Sequence, residues 1–249
     1  MKIKTIGTIA FLLVGIAVGP TMAVSTISLS PSATSGGPEY RNIGGELWAH
    51  IVKGSLGGYG EEDSFVSFCV EMEEPLDFDS PALDAVINPA GAIEGGIGGS
   101  PDPIHDYTAW LFEQFHNRTL PYYEFDGSVN GGVDRTASAI TLQYVIWGLE
   151  DELGMPEGAY FEAGMDSALD PDQQQYFDLA KAAVDPEGGG GWTNNGQIQV
   201  VNVYAEGTYG TENPVYKQDI LIRIPAPGAI WLGMAGIGLV GWIRRCRMM

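Results

Sequence analysis

The segment Ser64–Met72, SFVSFCVEM, is apolar on both of its alternating faces. Phe65, Ser67, Cys69 and Glu71 share one face, and Val66, Phe68, Val70 and Met72 share the other. A strand sends successive side chains to opposite sides, so bulky residues on both require cover on both. This segment therefore predicts a central strand in a layered domain. Around it, GELWAHIVKG (45–54) alternates with Leu47, Ala49 and Ile51 on one side and also reads as a strand. QIQVVNVYAEG and PVYKQDILIRI read as two closing strands late in the chain.

Between these strands the period changes from two to that of a helix. DPIHDYTAWLFEQFHN places Ile104, Tyr107, Leu111 and Phe115 at helical spacing after a start at Asp102 or Pro103. DRTASAITLQYVIWGLEDEL has Asp134 as N-cap and an apolar stripe of Ala137, Ile140, Tyr144 and Trp147. DPDQQQYFDLAKAAV begins at Asp170 with Pro171 in the first turn. Residues 87–103 read as a glycine-rich loop, and EGGGGWTNNG (187–196) resets the chain before the last strands. The order of strands, helices and strands gives an α+β class: a β-rich, sandwich- or barrel-like ectodomain over 43–224 with a helical insertion. Residues 24–42, rich in Ser, Pro and Gly, read as a flexible lead.

The two ends read as targeting segments. Residues 1–23 combine Lys2 and Lys4, a short apolar core and small residues at Thr21 and Ala23, the pattern of a cleavable signal peptide. Residues 228–243 are uncharged and apolar, and Arg244, Arg245 and Arg247 follow at once. Such a run makes ~24 Å of helix against a hydrocarbon core of roughly 30 Å, a short transmembrane helix. Its arginines belong on the cytoplasmic side, which leaves the ectodomain outside. Pro225-Ala226-Pro227, the apolar run and the arginine cluster resemble the PEP-CTERM sorting signal of bacterial envelope proteins. There a Pro-Glu-Pro motif precedes the helix; here Ala226 stands in place of the Glu. The resemblance, over residues 225–249, implies an exosortase-like sorting enzyme as partner. It also implies a place in the cell envelope, and a link to exopolysaccharide or biofilm matrix.

All 32 acidic residues lie between the two ends, against seven of the 12 basic ones, so the ectodomain carries −25. That charge argues against nucleic acid and anionic lipid as ligands. Calcium binding of the EF-hand kind is not expected: DPDQQQYFDLAK has Gln175 where the turn glycine belongs and Lys181 where the bidentate Glu belongs. The histidines His50, His105 and His116 fall in no metal-ligand or protease spacing, and no Ser/His/Asp or paired-carboxylate motif is present. No catalytic residue, metal or cofactor is expected, and the chain does not read as an enzyme. Tyr122 and Tyr123 are candidates for stacking on sugars, with turn or core packing as the plainer role.

Cys69 is the only cysteine between the two end segments, because Cys246 lies among the terminal arginines. An unpaired cysteine in an exported protein is an inert buried thiol, half of an intermolecular disulfide, a nucleophile or part of an internal thioester. Phe68–Glu71, FCVE, resembles the aromatic-Cys-apolar-acid motif of the thioester domains of bacterial surface adhesins. Leu142–Trp147, LQYVIW, is similar to that family's Thr-Gln-x-Ala-apolar-Trp motif at Gln143, Ile146 and Trp147, with Leu142 and Val145 departing from it. KQDILI (217–222) fits the third motif at Gln218, Leu221 and Ile222, with Lys217 where an apolar residue is expected. The three motifs bracket residues 68–222 in the family's order. The resemblance implies a thioester between Cys69 and Gln218, with Gln199 as second choice for the acyl donor. It implies covalent capture of an amine-bearing surface ligand, with Phe68, Trp147 and Tyr216 as shielding aromatics. The residues by themselves give Gln143 a structural part, its buried amide bonding backbone groups near the site, and make Trp147 core. The function expected is attachment to a surface or matrix; the alternative is a non-covalent structural or exopolysaccharide-binding module without a thioester.

Overall fold

The structure, a computed structural model, describes residues 24–32, 45–72, 74–93, 100–126, 135–152 and 171–224. The signal-peptide segment, the motif Pro225–Pro227, the apolar run 228–243 and Arg244, Arg245 and Arg247 lie outside them, as do Asp134 and Asp170. Among the described residues no helix is long and apolar enough to cross a membrane.

Among the described residues six antiparallel strands form one sheet: β1 (Ser25–Pro31), β2 (Leu47–Lys53), β3 (Ser64–Ser67), β4 (Leu83–Asn88), β5 (Ile198–Ala205) and β6 (Tyr216–Arg223), in the order β3-β2-β1-β4-β5-β6. Among the described residues three α-helices, α1 (Asp106–His116), α2 (Arg135–Leu149) and α3 (Pro171–Val184), fall between β4 and β5 in the chain. The class is thus α+β and β-rich. The sheet also closes. Beyond β3 the chain runs on to Cys69, which bridges Ile220 of β6. The Val70 N–H donates to Asp219 O at 3.0 Å and the Leu221 N–H to Phe68 O at 3.1 Å. One segment thus pairs with β2 through residues 64–67 and with β6 through residues 68–70.

The alternation of Ser64–Met72 now has its physical reason. One face points into the closed sheet, where Phe65 and Cys69 join Ile27, Leu47, Ile51, Val201, Ile220 and Ile222 in an apolar cluster. The other face points to the helices, where Phe68 and Val70 meet Leu111, Phe112, Leu142, Ile146 and Leu221 in a second cluster. β6 is shared the same way, with Ile220 and Ile222 inward and Leu221 toward the helices.

Several expectations need correction. Residues 25–31, expected to begin a flexible lead, form β1 between β2 and β4. Ile27 and Leu29 face inward, while Thr26 and Ser28 are half-buried and Ser30 is exposed, so short hydroxyl side chains disguise a strand. Residues 83–88 form β4, with the expected glycine-rich loop overlapping its end. Helix α1 starts at Asp106, because Asp102 is held in a bridge to Ala92 and His105 supplies the cap, its Nδ1 accepting from Tyr107 N–H. That bridge needs glycine at position 91, where φ is +119° and an added Cβ would sit 1.8 Å from Asp102 O. In α2 the expected stripe is rotated: Ala137 is exposed, Ile140 and Tyr144 are half-buried, and Ala139, Leu142, Gln143, Val145 and Ile146 face the core. The cause is that α2 touches both clusters, Trp147 in one and Leu142 and Ile146 in the other.

Candidate functional site: the surroundings of Cys69

The three sequence motifs meet at one place. Gln143 of α2 grips the backbone of Cys69: the Cys69 N–H donates to Gln143 Oε1 at 3.0 Å, and Gln143 Nε2 donates to Cys69 O at 2.8 Å. The Gly45 N–H reaches the same Oε1 at 3.5 Å. Four residues along α2, Trp147 Nε1 donates to Glu71 O at 3.1 Å. From β6, Gln218 Nε2 donates to the same Glu71 O at 2.6 Å. Gln143, Trp147 and Gln218 therefore hold Cys69–Glu71 from two sides. They satisfy backbone groups that the short pairing with β6 leaves over.

Cys69 and Gln218 are each 2% exposed. Ile220 is the bridge partner of Cys69, so Gln218, two residues before it, is a diagonal neighbour across the pair. Diagonal pairs have α-carbons roughly 7–8 Å apart and long side chains that can touch. Burial, and then the charges of Glu71 and Glu74, push the Cys69 thiol up to about 12, so it stays protonated at neutral pH.

Other candidate residues stand apart. Gln199, on β5, donates its amide to Gly196 O at 2.9 Å; its strand pairs with β6 rather than with the Cys69 segment. Phe68 faces the helices, stacked edge-on to Phe115, so it does not shield the thiol side. Trp147 does line the Cys69 cluster, and Tyr216 packs on Tyr204. Each histidine is committed elsewhere: His50 to Ser64, His116 to Tyr59, and His105 to the α1 cap. Tyr122 is 67% exposed, whereas Tyr123 is buried and donates to Glu46.

Residues 74–80 close over this end of the sheet. Pro75 O accepts the Gln218 N–H at 3.3 Å, Glu74 Oε2 accepts the Asp219 N–H at 3.3 Å, and Leu76 and Phe78 pack on the inner cluster. Lys217, which departs from the family pattern, ties the loop down through Asp77 at 3.2 Å. The fold-back brings together three carboxylates that sequence spacing did not connect: oxygens of Glu71, Glu74 and Asp219 lie within 4.8 Å of one another. Burial is the main reason the Glu71 carboxyl is pushed far up, followed by sharing a proton with Glu74 and by the charges of Asp219, Glu74 and Glu152. Burial likewise lifts Asp219 to about 8, against the bonds it accepts from Val203 N–H, Asn202 Nδ2 and Ile93 N–H.

A separate open cleft of about 650 Å³ lies where the start of α1 meets the turn after α3, with Tyr107, Asp106, Asp185 and Trp192 in its wall. Tyr107 donates to Asp185 there. No protein-family model, curated protein or solved structure matches the chain.

Proposed function

We propose that this chain is an exported, membrane-anchored envelope protein that attaches to a surface or matrix by covalent amine capture through a Cys69–Gln218 thioester. The observation that carries the proposal is the diagonal register of two buried residues, Cys69 and Gln218, across the bridge from Cys69 to Ile220. In forming the bond, Cys69 sulfur adds to the Gln218 side-chain carbonyl carbon. The C–N bond then breaks, and the thiol proton leaves with the amide nitrogen as ammonia. A partner amine later attacks the same carbon. Its nitrogen forms the amide, the C–S bond breaks and the sulfur takes up the proton that the amine loses. No co-reactant is required, and each molecule reacts once, so the protein is a binder and not an enzyme. Strands fix the two groups in register, and the cover of Leu76, Phe78 and Trp147 keeps water from the acyl group. Anchoring by residues 228–243, processing by an exosortase-like enzyme and a place on the outer envelope belong to the same proposal and rest on the terminal sequence pattern.

Incubation with an isotope-labelled small amine, followed by peptide mapping, tests it. Label on the peptide containing Gln218, absent from Cys69→Ala, is the expected result; label on Gln199 or on neither glutamine rejects the pair.

The cleft at Trp192 favours a second reading, non-covalent binding of an exopolysaccharide. An indole beside Asp106 and Asp185 offers a stacking face with acceptors for sugar hydroxyls. On that reading Trp192→Ala abolishes retention on matrix polysaccharide while Cys69→Ala does not.

A further inference from the structure

We infer that Glu71, Glu74 and Asp219 form a binding site for a divalent cation, best matched to calcium, at the end of the closed sheet beside Cys69. Three carboxylates supply oxygens within 4.8 Å of one another, a span that one ion can bridge. The second observation is Glu71 itself. Its residue is 98% buried, and neither carboxylate oxygen accepts from an N–H or a hydroxyl, its one close polar neighbour being the carboxyl of Glu74, another acid, while its backbone carbonyl is fully engaged by Trp147 and Gln218. A buried carboxylate without donors is costly unless it is neutralised by a proton or a cation. The charged groups that act on it are Asp219, Glu74 and Glu152, all acidic. Lys217, the basic residue next in sequence to the cluster, is spent on Asp77.

The donor set is all oxygen and carboxylate-rich, which suits a hard cation and not zinc or copper. Glu74 comes from the covering loop, while Asp219 is fixed on β6 by Val203 and Asn202. An adjustable ligand beside a fixed one suits calcium, which tolerates irregular coordination, better than magnesium. A cation here would tie residues 74–80 to β6 and so hold the cover over Cys69 and Gln218. The inference does not depend on the thioester, since Cys69→Ala leaves all three carboxylates in place.

The test uses the purified full chain, stripped with chelator, at neutral pH and physiological salt, titrated with calcium chloride and followed by thermal melting and calorimetry. A saturable rise in Tm of several degrees at one ion per chain is expected, smaller with magnesium. It is expected to vanish in Glu74→Gln, to persist in Glu187→Gln at an exposed position, and to persist in Cys69→Ala. Where Glu74→Gln fails to fold, terbium luminescence on the unmodified chain replaces it. Trp147, bonded to Glu71 O, is expected to sensitise the ion, and calcium to quench the signal by displacing it. A flat calcium titration, an equal response in Glu74→Gln, or terbium emission that calcium does not displace overturns the inference and leaves a proton shared between Glu71 and Glu74 as the neutralising device.

Discussion

Gln143 commits both ends of its carboxamide to the backbone of a single residue, accepting from Cys69 N–H and donating to Cys69 O. Both backbone groups are buried, so neither has water as a substitute. Gln143→Leu keeps the volume and orphans them, and is expected to cost about 2–4 kcal/mol, since each unsatisfied buried polar group costs about 1–3 kcal/mol. Urea unfolding measures this, and a loss under about 0.5 kcal/mol, the scale of an ordinary surface change, contradicts it. Cys69 sits on the apolar side of the same contact, its thiol held up near 12 by burial. Much of this site is legible in the sequence. Gln143 inside an apolar helix and Cys69 inside an apolar segment bring polar atoms that folding must satisfy, whereas Gln218, among the polar Lys217 and Asp219, is pointed to only by the resemblance to a thioester-domain motif. Glu74 and Asp219 carry no such mark. Their meeting depends on the fold-back of residues 74–80 against β6, a tertiary contact that no local spacing encodes.

At the level of elements, a buried ion pair joins the start of β2 to the start of α2. Arg135 Nε lies 2.7 Å from Glu46 Oε1 and Arg135 Nη2 lies 2.9 Å from Glu46 Oε2, a two-pronged contact that Tyr123 and Ser32 complete. The Glu46 side chain is wholly buried and that of Arg135 is 15% exposed. Removing one partner strands the other charge. Arg135→Met is therefore expected to destabilise by about 3–5 kcal/mol, and Glu46→Leu with Arg135→Met by markedly less than the sum. A double-mutant cycle in urea checks the coupling, and additive losses contradict it. β2, with Leu47, Ala49 and Ile51 on one face, and β5 and β6, with runs rich in β-branched residues at 200–203 and 220–222, are legible in their own residues. β1 and β4 are not. β1 presents serine and threonine outward and owes its place to two neighbouring strands, and in LDAVIN the inward Leu83 and Ala85 alternate with Asp84 and Val86, a weak period of two. The rotated stripe of α2 has a related cause, because a helix wedged between two clusters has no single apolar face to read.

For the whole molecule, an acidic protein that buries several of its carboxyls has a pH dependence of defined sign. Glu150, just past α2, accepts the His105 N–H at 3.2 Å, yet burial lifts it to about 8. Unfolded, it titrates near the ordinary glutamate value of about 4.3. Between these values the folded protein holds a proton that the unfolded chain has released. Its stabilising effect is therefore full below about pH 4 and lost as pH rises through 8. Stability is expected to fall from pH 5 to pH 8.5 by an amount on the order of a few kcal/mol, with a shallower slope in Glu150→Gln. A melting series across that range checks it, and a Tm that rises with pH contradicts it. The same intact chain carries the central claim, the bond between Cys69 and Gln218, and its mass is the most direct measurement. Electrospray mass of the purified chain, read as the peptide spanning residues 24–224 after limited processing or as the full chain, is predicted to fall short of its sequence by one ammonia. Methylamine is predicted to restore that deficit and add its own remaining mass, and Cys69→Ala to show the full sequence mass throughout. A mass equal to the sequence with a free thiol at Cys69 contradicts covalent capture and leaves Cys69 a buried structural residue.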